Sequence, residues 1–216
     1  MKLILLGAPG SGKGTQAGIL TKNLNLRQIS LGDILRQEVK KESELGKKVK
    51  AYMEQGVLVP DDIVGAVIEQ NIADEGFVLD GYPRNIAQAE NLQKIFDSKN
   101  IQLTAVVYLD VTTDTVIKRL SGRRVCKRCG GNFHVINMPP KTEGICDNCN
   151  SPLTQRKDDN TEVIARRLEV FEAESAPLKD YYQGKGNLLV VDANKDAQDV
   201  FKDIAGILKD GQYSQS

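Results

Sequence analysis

Gly7-Ala8-Pro9-Gly10-Ser11-Gly12-Lys13-Gly14-Thr15 follows the apolar run Lys2–Leu6 and opens a helical pattern over residues 13–24. Backbone N–H groups can wrap phosphate oxygens only where side chains leave room, so glycines recur at this spacing. The helix N-terminus adds donors and a partial positive charge, and Lys13 is placed to reach the β- and γ-phosphates of a nucleotide. This strand–loop–helix unit predicts a P-loop fold, with Gly10, Ser11, Gly12, Lys13, Gly14 and Thr15 around the phosphates. The general motif puts Ser or Thr directly after the lysine as a magnesium ligand, and here Gly14 stands in that position. Mg2+ is therefore expected to be held mostly by phosphates and water, helped by Thr15 and by Asp80, which ends the apolar run Phe77–Leu79.

Working outward, short apolar runs alternate with amphipathic stretches, the pattern of a parallel sheet covered by helices on both faces. Strands are expected at Lys2–Leu6, Arg27–Ser30, Phe77–Asp80, Ala105–Val111 and Asn187–Asp192, several of them apolar at consecutive positions as buried parallel strands are. Helices are expected over 13–24, 61–73, 85–97, 113–121, 161–183 and 196–209. The fold class is thus α/β, a P-loop five-stranded parallel sheet. Two segments break the rhythm. Residues 31–59 carry two charged helical pieces, Asp33–Lys41 and Leu45–Gln55, with no strand between them. Residues 122–159 are rich in cysteine, glycine and proline, with a short β-like run at Asn132–Ile136.

Twenty-nine basic residues balance twenty-nine acidic ones. Such neutrality argues against a dedicated nucleic-acid binder, which shows a basic domain or stripe, so any anion site must come from local clustering. The apolar run Leu3–Leu6 is far too short for a signal peptide, and no stretch approaches a membrane span. A cytoplasmic protein is expected, with no membrane partner.

Cys126-Lys-Arg-Cys129 and Cys146-Asp-Asn-Cys149 form a pair of C-x-x-C motifs sixteen residues apart. This is zinc-ribbon spacing, in which four thiolates complete a tetrahedron with no open position, so the expected Zn2+ is structural. Iron and a redox dithiol stay open on spacing alone. A ribbon can also serve nucleic-acid binding, a rival reading opposed by the neutral charge and by the lack of aromatic residues among the basic ones.

The motifs GAPGSGKGT (7–15), ISLGDILR (29–36), GFVLDGYPRN (76–85), LSGRR (120–124), RKDDN (156–160) and ARRLEVF (165–171) stand in the order found in adenylate kinases. The chain resembles, over nearly its whole length, the long bacterial type with a zinc-bearing LID. The resemblance implies a P-loop core (1–29, 60–121 and 160–216), an AMP-binding insertion (30–59) and a LID (122–159) that closes over ATP. It further implies reversible transfer of a phosphoryl group from ATP to AMP by a monomer using Mg2+; the alternative reading is a broader nucleoside monophosphate kinase with UMP, CMP or GMP as acceptor. Arg36 and Arg84 would bind the AMP phosphate, and Arg123, Arg156 and Arg167 would close on the transferring phosphates. Gln88 would read the AMP base, in a pocket lined by Val57, Leu58, Val59 and the backbone of Gly81, Tyr82, Pro83 and Arg84. Arg119, Asn132, Phe133 and the Lys195 backbone would hold the ATP adenine. Leu31 departs from the family's Thr or Ser in the AMP pocket and is expected to weaken base discrimination.

Arginine suits the task on physical grounds alone. Its planar guanidinium stays charged and donates in pairs to phosphate, and Arg119, Arg123, Arg124, Arg156, Arg166 and Arg167 flank or enter the second insertion. No acid/base dyad is visible. None is needed, because a phosphate monoester with second pKa near ~6 already offers an oxyanion at neutral pH. Asp158 and Asp159 are expected to pair with LID arginines or touch the magnesium water shell, and His134 to make a local LID hydrogen bond or a ligand contact.

Overall fold

The computed structural model describes residues 1–73 and 75–209; residues 210–216, the end of the expected core range, lie outside them. Five parallel strands, β1 (Lys2–Gly7), β2 (Arg27–Ser30), β3 (Phe77–Asp80), β4 (Ala105–Asp110) and a last strand at Leu188–Asp192, pair in the spatial order β2, β3, β1, β4, last. The N-terminal strand is therefore central, with Leu3 opposite Val78 on one side and Ala105 on the other.

Side chains alternate across the sheet and both faces are covered, which is why the strands read as continuous apolar runs. Ile4, Leu6, Phe77, Leu79, Val106 and Tyr108 share one core with α4 (Asp61–Asn71) and α5 (Ile86–Ser98). Leu3, Leu5, Val78, Val107 and Leu109 meet Ala17 and Leu20 of α1 (Lys13–Leu24) on the opposite face. That second core is completed by Val200, Ile204 and Leu208 of the C-terminal helix Ala197–Lys209.

The first insertion folds as α2 (Leu31–Lys40) and α3 (Glu44–Gln55), each starting one or two residues earlier than the sequence predicts. Ser43 caps α3 by accepting from the Gly46 N–H at 3.0 Å. The two helices touch at Gly46, where a Cβ would lie 2.1 Å from the Glu38 carbonyl oxygen, so only glycine allows the approach. The second insertion follows α6 (Thr113–Gly122) and builds its own antiparallel sheet from β5 (Arg123–Cys126), β6 (Asn132–His134) and β7 (Leu153–Thr154), with β5 in the middle. Its small core is Cys126, Phe133 and Cys146, flanked by Cys149 and Leu153.

The predicted helix over 161–183 is not continuous. It divides into α7 (Thr161–Val170), a π-helical turn at Phe171–Ser175 and α8 (Leu178–Gly184). Pro177 lacks an N–H and its ring crowds the preceding turn. The helix widens there, and the Ala176 N–H donates across the wide turn to the Phe171 carbonyl at 2.8 Å. With the last strand numbered β8 and the C-terminal helix α9, no described helix is long and apolar enough to cross a membrane.

Candidate active site

The glycine-rich loop leaves β1 with positive φ at Gly7, Gly10 and Gly12, a backbone region open to glycine at no steric cost. Lys13 Nζ folds back onto the loop, donating to the Gly7 carbonyl at 2.7 Å and the Ala8 carbonyl at 2.8 Å. Burial lowers the Lys13 pKa to about 8, against the opposing pull of Asp80 and with added repulsion from Arg84, Arg167 and Arg123. Burial likewise pushes the Asp80 carboxyl up, while Lys13 draws it back.

Above the loop lies a cavity of ≈ 790 Å³. It is lined by Gly10, Ser11, Gly12, Lys13, Gly14, Thr15, Asp80, Gly81, Pro83, Arg84, Arg119, Arg123, Asn132, Phe133, Arg156, Arg167 and Lys195. A second cavity of ≈ 80 Å³ is lined by Leu31, Val57, Leu58, Val59 and Gln88, among others. Arg36, Arg84 and Arg167 border both. Three cations thus stand where the two spaces join.

Of the 81–84 backbone expected beside the acceptor base, Gly81 and Pro83 line the larger cavity and not the smaller one, and Arg84 borders both. Tyr82 lines neither cavity; its ring is fully buried in the core and its hydroxyl donates to the Gln88 carbonyl at 3.2 Å. A large aromatic ring at that point has more to gain from the apolar interior than from a polar cleft.

The arginines are held by acceptors of the chain itself. Arg123 donates to both carboxylate oxygens of Asp159, with Nε at 2.7 Å, and Arg167 donates to Asp159 at 3.3 Å. Asp159 has no solvent-exposed side-chain surface, and its ion-pair partners among the described residues are these two guanidiniums. Asp158 lies 3.4 Å from Arg167. Burial pushes its carboxyl up, and Arg167, Arg123, Arg36 and Arg156 outweigh that to leave it below the usual range. Burial lowers Arg84 and Arg156 to about 10 each, with neighbouring arginines adding to the effect. Both remain charged near neutrality.

Arg119, on α6, spans the cleft by donating to the Ser11 carbonyl at 3.2 Å and the Lys195 carbonyl at 3.1 Å. Arg156 donates to Asn132 Oδ1 at 3.1 Å. His134 makes local bonds: Nδ1 accepts from the Ile136 and Asn137 N–H groups, both at 3.0 Å, leaving Nε2 to donate to the Lys118 carbonyl. Two contributors escaped the sequence reading. Asp33 pairs with Arg36, and was legible only as a neighbour in the ISLGD stretch. Ser175 Oγ donates to the Arg84 carbonyl at 2.5 Å, pinning the loop that carries that arginine; no motif pointed to it.

The four cysteine sulfurs all lie within 4.8 Å of one another, with Cys126–Cys149 at 3.4 Å and Cys129–Cys146 at 3.5 Å. Ligands ~2.3 Å from a common tetrahedral centre would be spaced this closely, so the sulfurs fit one metal ion. Around the phosphate loop the donors are oxygens. Thr15 and Asp80 line the cavity, and a Cβ at Gly14 would come within 3.5 Å of Asp80 Oδ2. Asp80 thus faces the loop beside Gly14, and a single carboxylate with waters suits Mg2+.

A family model described as adenylate kinase matches residues 5–187. The chain belongs to the adenylate kinase family. Curated adenylate kinases of similar sequence include one from Caldicellulosiruptor bescii, 49% identical over 208 residues that cover 94% of this chain and 97% of the relative. Another, from Caldanaerobacter subterraneus subsp. tengcongensis, is 47% identical over 94% of each chain. A third, from Lachnoclostridium phytofermentans, is 46% identical over 96% of this chain and 98% of its own. As an adenylate kinase family member the chain is a nucleoside monophosphate kinase, a phosphotransferase.

Proposed function

We propose that the chain transfers the γ-phosphoryl group of ATP to AMP, reversibly, giving two molecules of ADP. The observation that carries this reading is the junction of the two cavities at Arg36, Arg84 and Arg167. The larger space takes ATP, its phosphates on Gly10–Thr15 and its adenine beside Arg119, Asn132, Phe133 and the Lys195 backbone. The smaller takes the AMP base beside Leu31, Val57–Val59 and Gln88, with Gly81 and Pro83 lining the adjoining larger space. The two phosphate chains then meet among the arginines.

An AMP phosphate oxygen forms the new P–O bond as the bond to the ADP leaving oxygen breaks. Charge spreads over the equatorial oxygens, where Lys13, Arg84, Arg123, Arg156 and Arg167 stabilise it. The acceptor is ionised near pH 7, so no residue need remove a proton. Asp80 and Thr15 would hold a hydrated Mg2+ accompanying ATP, which would supply charge that offsets the phosphates. Residues 30–59 act as the AMP-binding lobe and residues 122–159 as a LID that excludes water from the transfer. Zn2+ on Cys126, Cys129, Cys146 and Cys149 holds the LID's shape; a closed sulfur set leaves it no catalytic position. Both substrate sites are built from one chain, which supports a monomer.

ADP formation from ATP with AMP, UMP, CMP and GMP tests the assignment, run on the wild type and on Leu31→Thr. AMP should lead by a wide margin. Leu31 is 2% exposed in the acceptor cavity and cannot hydrogen-bond. The threonine variant should therefore lower the Michaelis constant for AMP and widen the AMP/UMP ratio by about fivefold, one hydrogen bond's worth. Equal rates with all four acceptors would sink the adenylate reading and leave the kinase class intact.

A further inference from the structure

Gln88, 2% exposed, faces the smaller cavity with a side-chain amide whose orientation is decided by backbone groups. The Arg84 N–H, which can only donate, lies 2.7 Å from Gln88 Oε1. The Gln88 N–H lies 2.8 Å from Asn85 Oδ1. Both amides therefore present oxygen to those N–H groups, and both turn their NH2 ends the other way. Both NH2 ends meet Asp61, the first residue of α4. Gln88 Nε2 donates to Asp61 Oδ1 at 2.7 Å, and Asn85 Nδ2 lies 3.3 and 3.2 Å from its two carboxylate oxygens.

An ionised carboxylate only accepts. A flipped Gln88 would set its oxygen against that carboxylate and its NH2 against the Arg84 N–H, so both contacts would change from attraction to repulsion. With one N–H and one lone pair already committed, Gln88 keeps one of each for a ligand, in a fixed left-right order. Adenine offers an acceptor at N1 beside a donor at its 6-amino group. A 6-oxopurine reverses the two.

We propose that Asp61 is a specificity-determining positioning residue: by locking the Gln88 carboxamide it makes the acceptor site choose a 6-aminopurine monophosphate over a 6-oxopurine one. This rests on the reading that the acceptor base lies in the cavity beside Gln88. The lock spans three elements, since Asp61 begins α4, Asn85 caps α5 and Arg84 belongs to the loop after β3.

The test compares AMP with inosine monophosphate, which differs only in reversing donor and acceptor at N1 and C6. In Asp61→Asn the side chain keeps its shape but can turn a donor toward a flipped Gln88, leaving only the Arg84 N–H to oppose the flip. The ratio of kcat/KM for AMP to that for inosine monophosphate should fall about tenfold, with the Michaelis constant for ATP unchanged. Asp61→Glu, which keeps an acceptor-only group, should retain most of the ratio. Asp62→Asn removes the same charge from the same helix turn, on an exposed residue that makes no bond to Gln88, and should leave the ratio alone. A ratio within twofold of wild type in Asp61→Asn overturns the proposal, as does an equal loss in Asp62→Asn. Gln88→Ala separates the two layers of inference. If it too leaves the ratio unchanged, the base does not lie against Gln88 and the underlying placement fails as well; if it lowers the ratio where Asp61→Asn does not, only the role of Asp61 fails.

Discussion

Lys13 is the residue on which burial and function pull hardest against each other. Enclosed among arginines, its ammonium titrates at about 8 in the absence of phosphate, far below the ~10.4 of an exposed lysine. The folded protein therefore binds fewer protons than the unfolded chain between those values, and stability gains a rising contribution from this group as pH climbs from about 8 toward 10. A nucleotide reverses the balance, because its anionic phosphates favour the charged form. Binding of ATP near pH 8.5 should therefore take up a fraction of a proton, read as a dependence of the calorimetric enthalpy on the buffer's ionisation enthalpy. Lys13→Met should abolish that uptake; an uptake unchanged in the variant would assign the proton to another group. At this scale the sequence was legible where chemistry dictates residue type. The loop glycines, Lys13, the clustered arginines and the cysteines all declared themselves. Asp61, Asn85 and Ser175 did not, since their meaning lies in bonds reaching across 24 to 91 positions of chain, which no local spacing reveals.

At the scale of elements, the segment from β5 to β7 packs little apolar material into its own core: Phe133 and Leu153 beside the cysteines, with Val135, Ile136 and Met138 exposed. Such a lobe cannot offset the entropy of ordering its chain without a cross-link. Purified protein should carry one Zn2+ per chain, and its removal with a chelator should lower the melting temperature by ~5 °C or more and collapse kcat, with the far-UV signal of the parallel core retained. Full activity in metal-free protein would refute the structural role. Strand runs were readable along the chain because burial on both faces leaves continuous apolar stretches. The π-helical turn at Phe171–Ser175 was not, because amphipathic spacing continues through it and only Pro177 hints at the break. The turn also places Ser175 under the Arg84 loop, so the misjudged helix matters to the site.

For the whole molecule, the two insertions touch across the cleft. Lys157 Nζ lies 3.6 Å from Glu54, and Lys40 Nζ lies 3.5 Å from the Lys127 carbonyl. Both contacts are solvent-exposed, and exposed pairs of this kind contribute at most ~1 kcal/mol each. Contacts this weak would not by themselves hold the lobes together, and under the proposed function the substrates' charge would supply the rest. Fluorescence transfer between a dye on α3 and one near Lys141 should rise on adding ATP plus AMP; constant efficiency would show that the lobes do not move. The central strand is the first to be synthesised, and its partners β3 and β4 are complete by residue 110. Four of the five core strands, with the phosphate loop between β1 and α1, have thus been translated before the first cysteine, Cys126. At roughly 5–20 residues per second, residues 111–126 take about one to three seconds to add, so the strands around the phosphate loop precede the cysteine lobe, and β8 with α9 closes the sheet edge last.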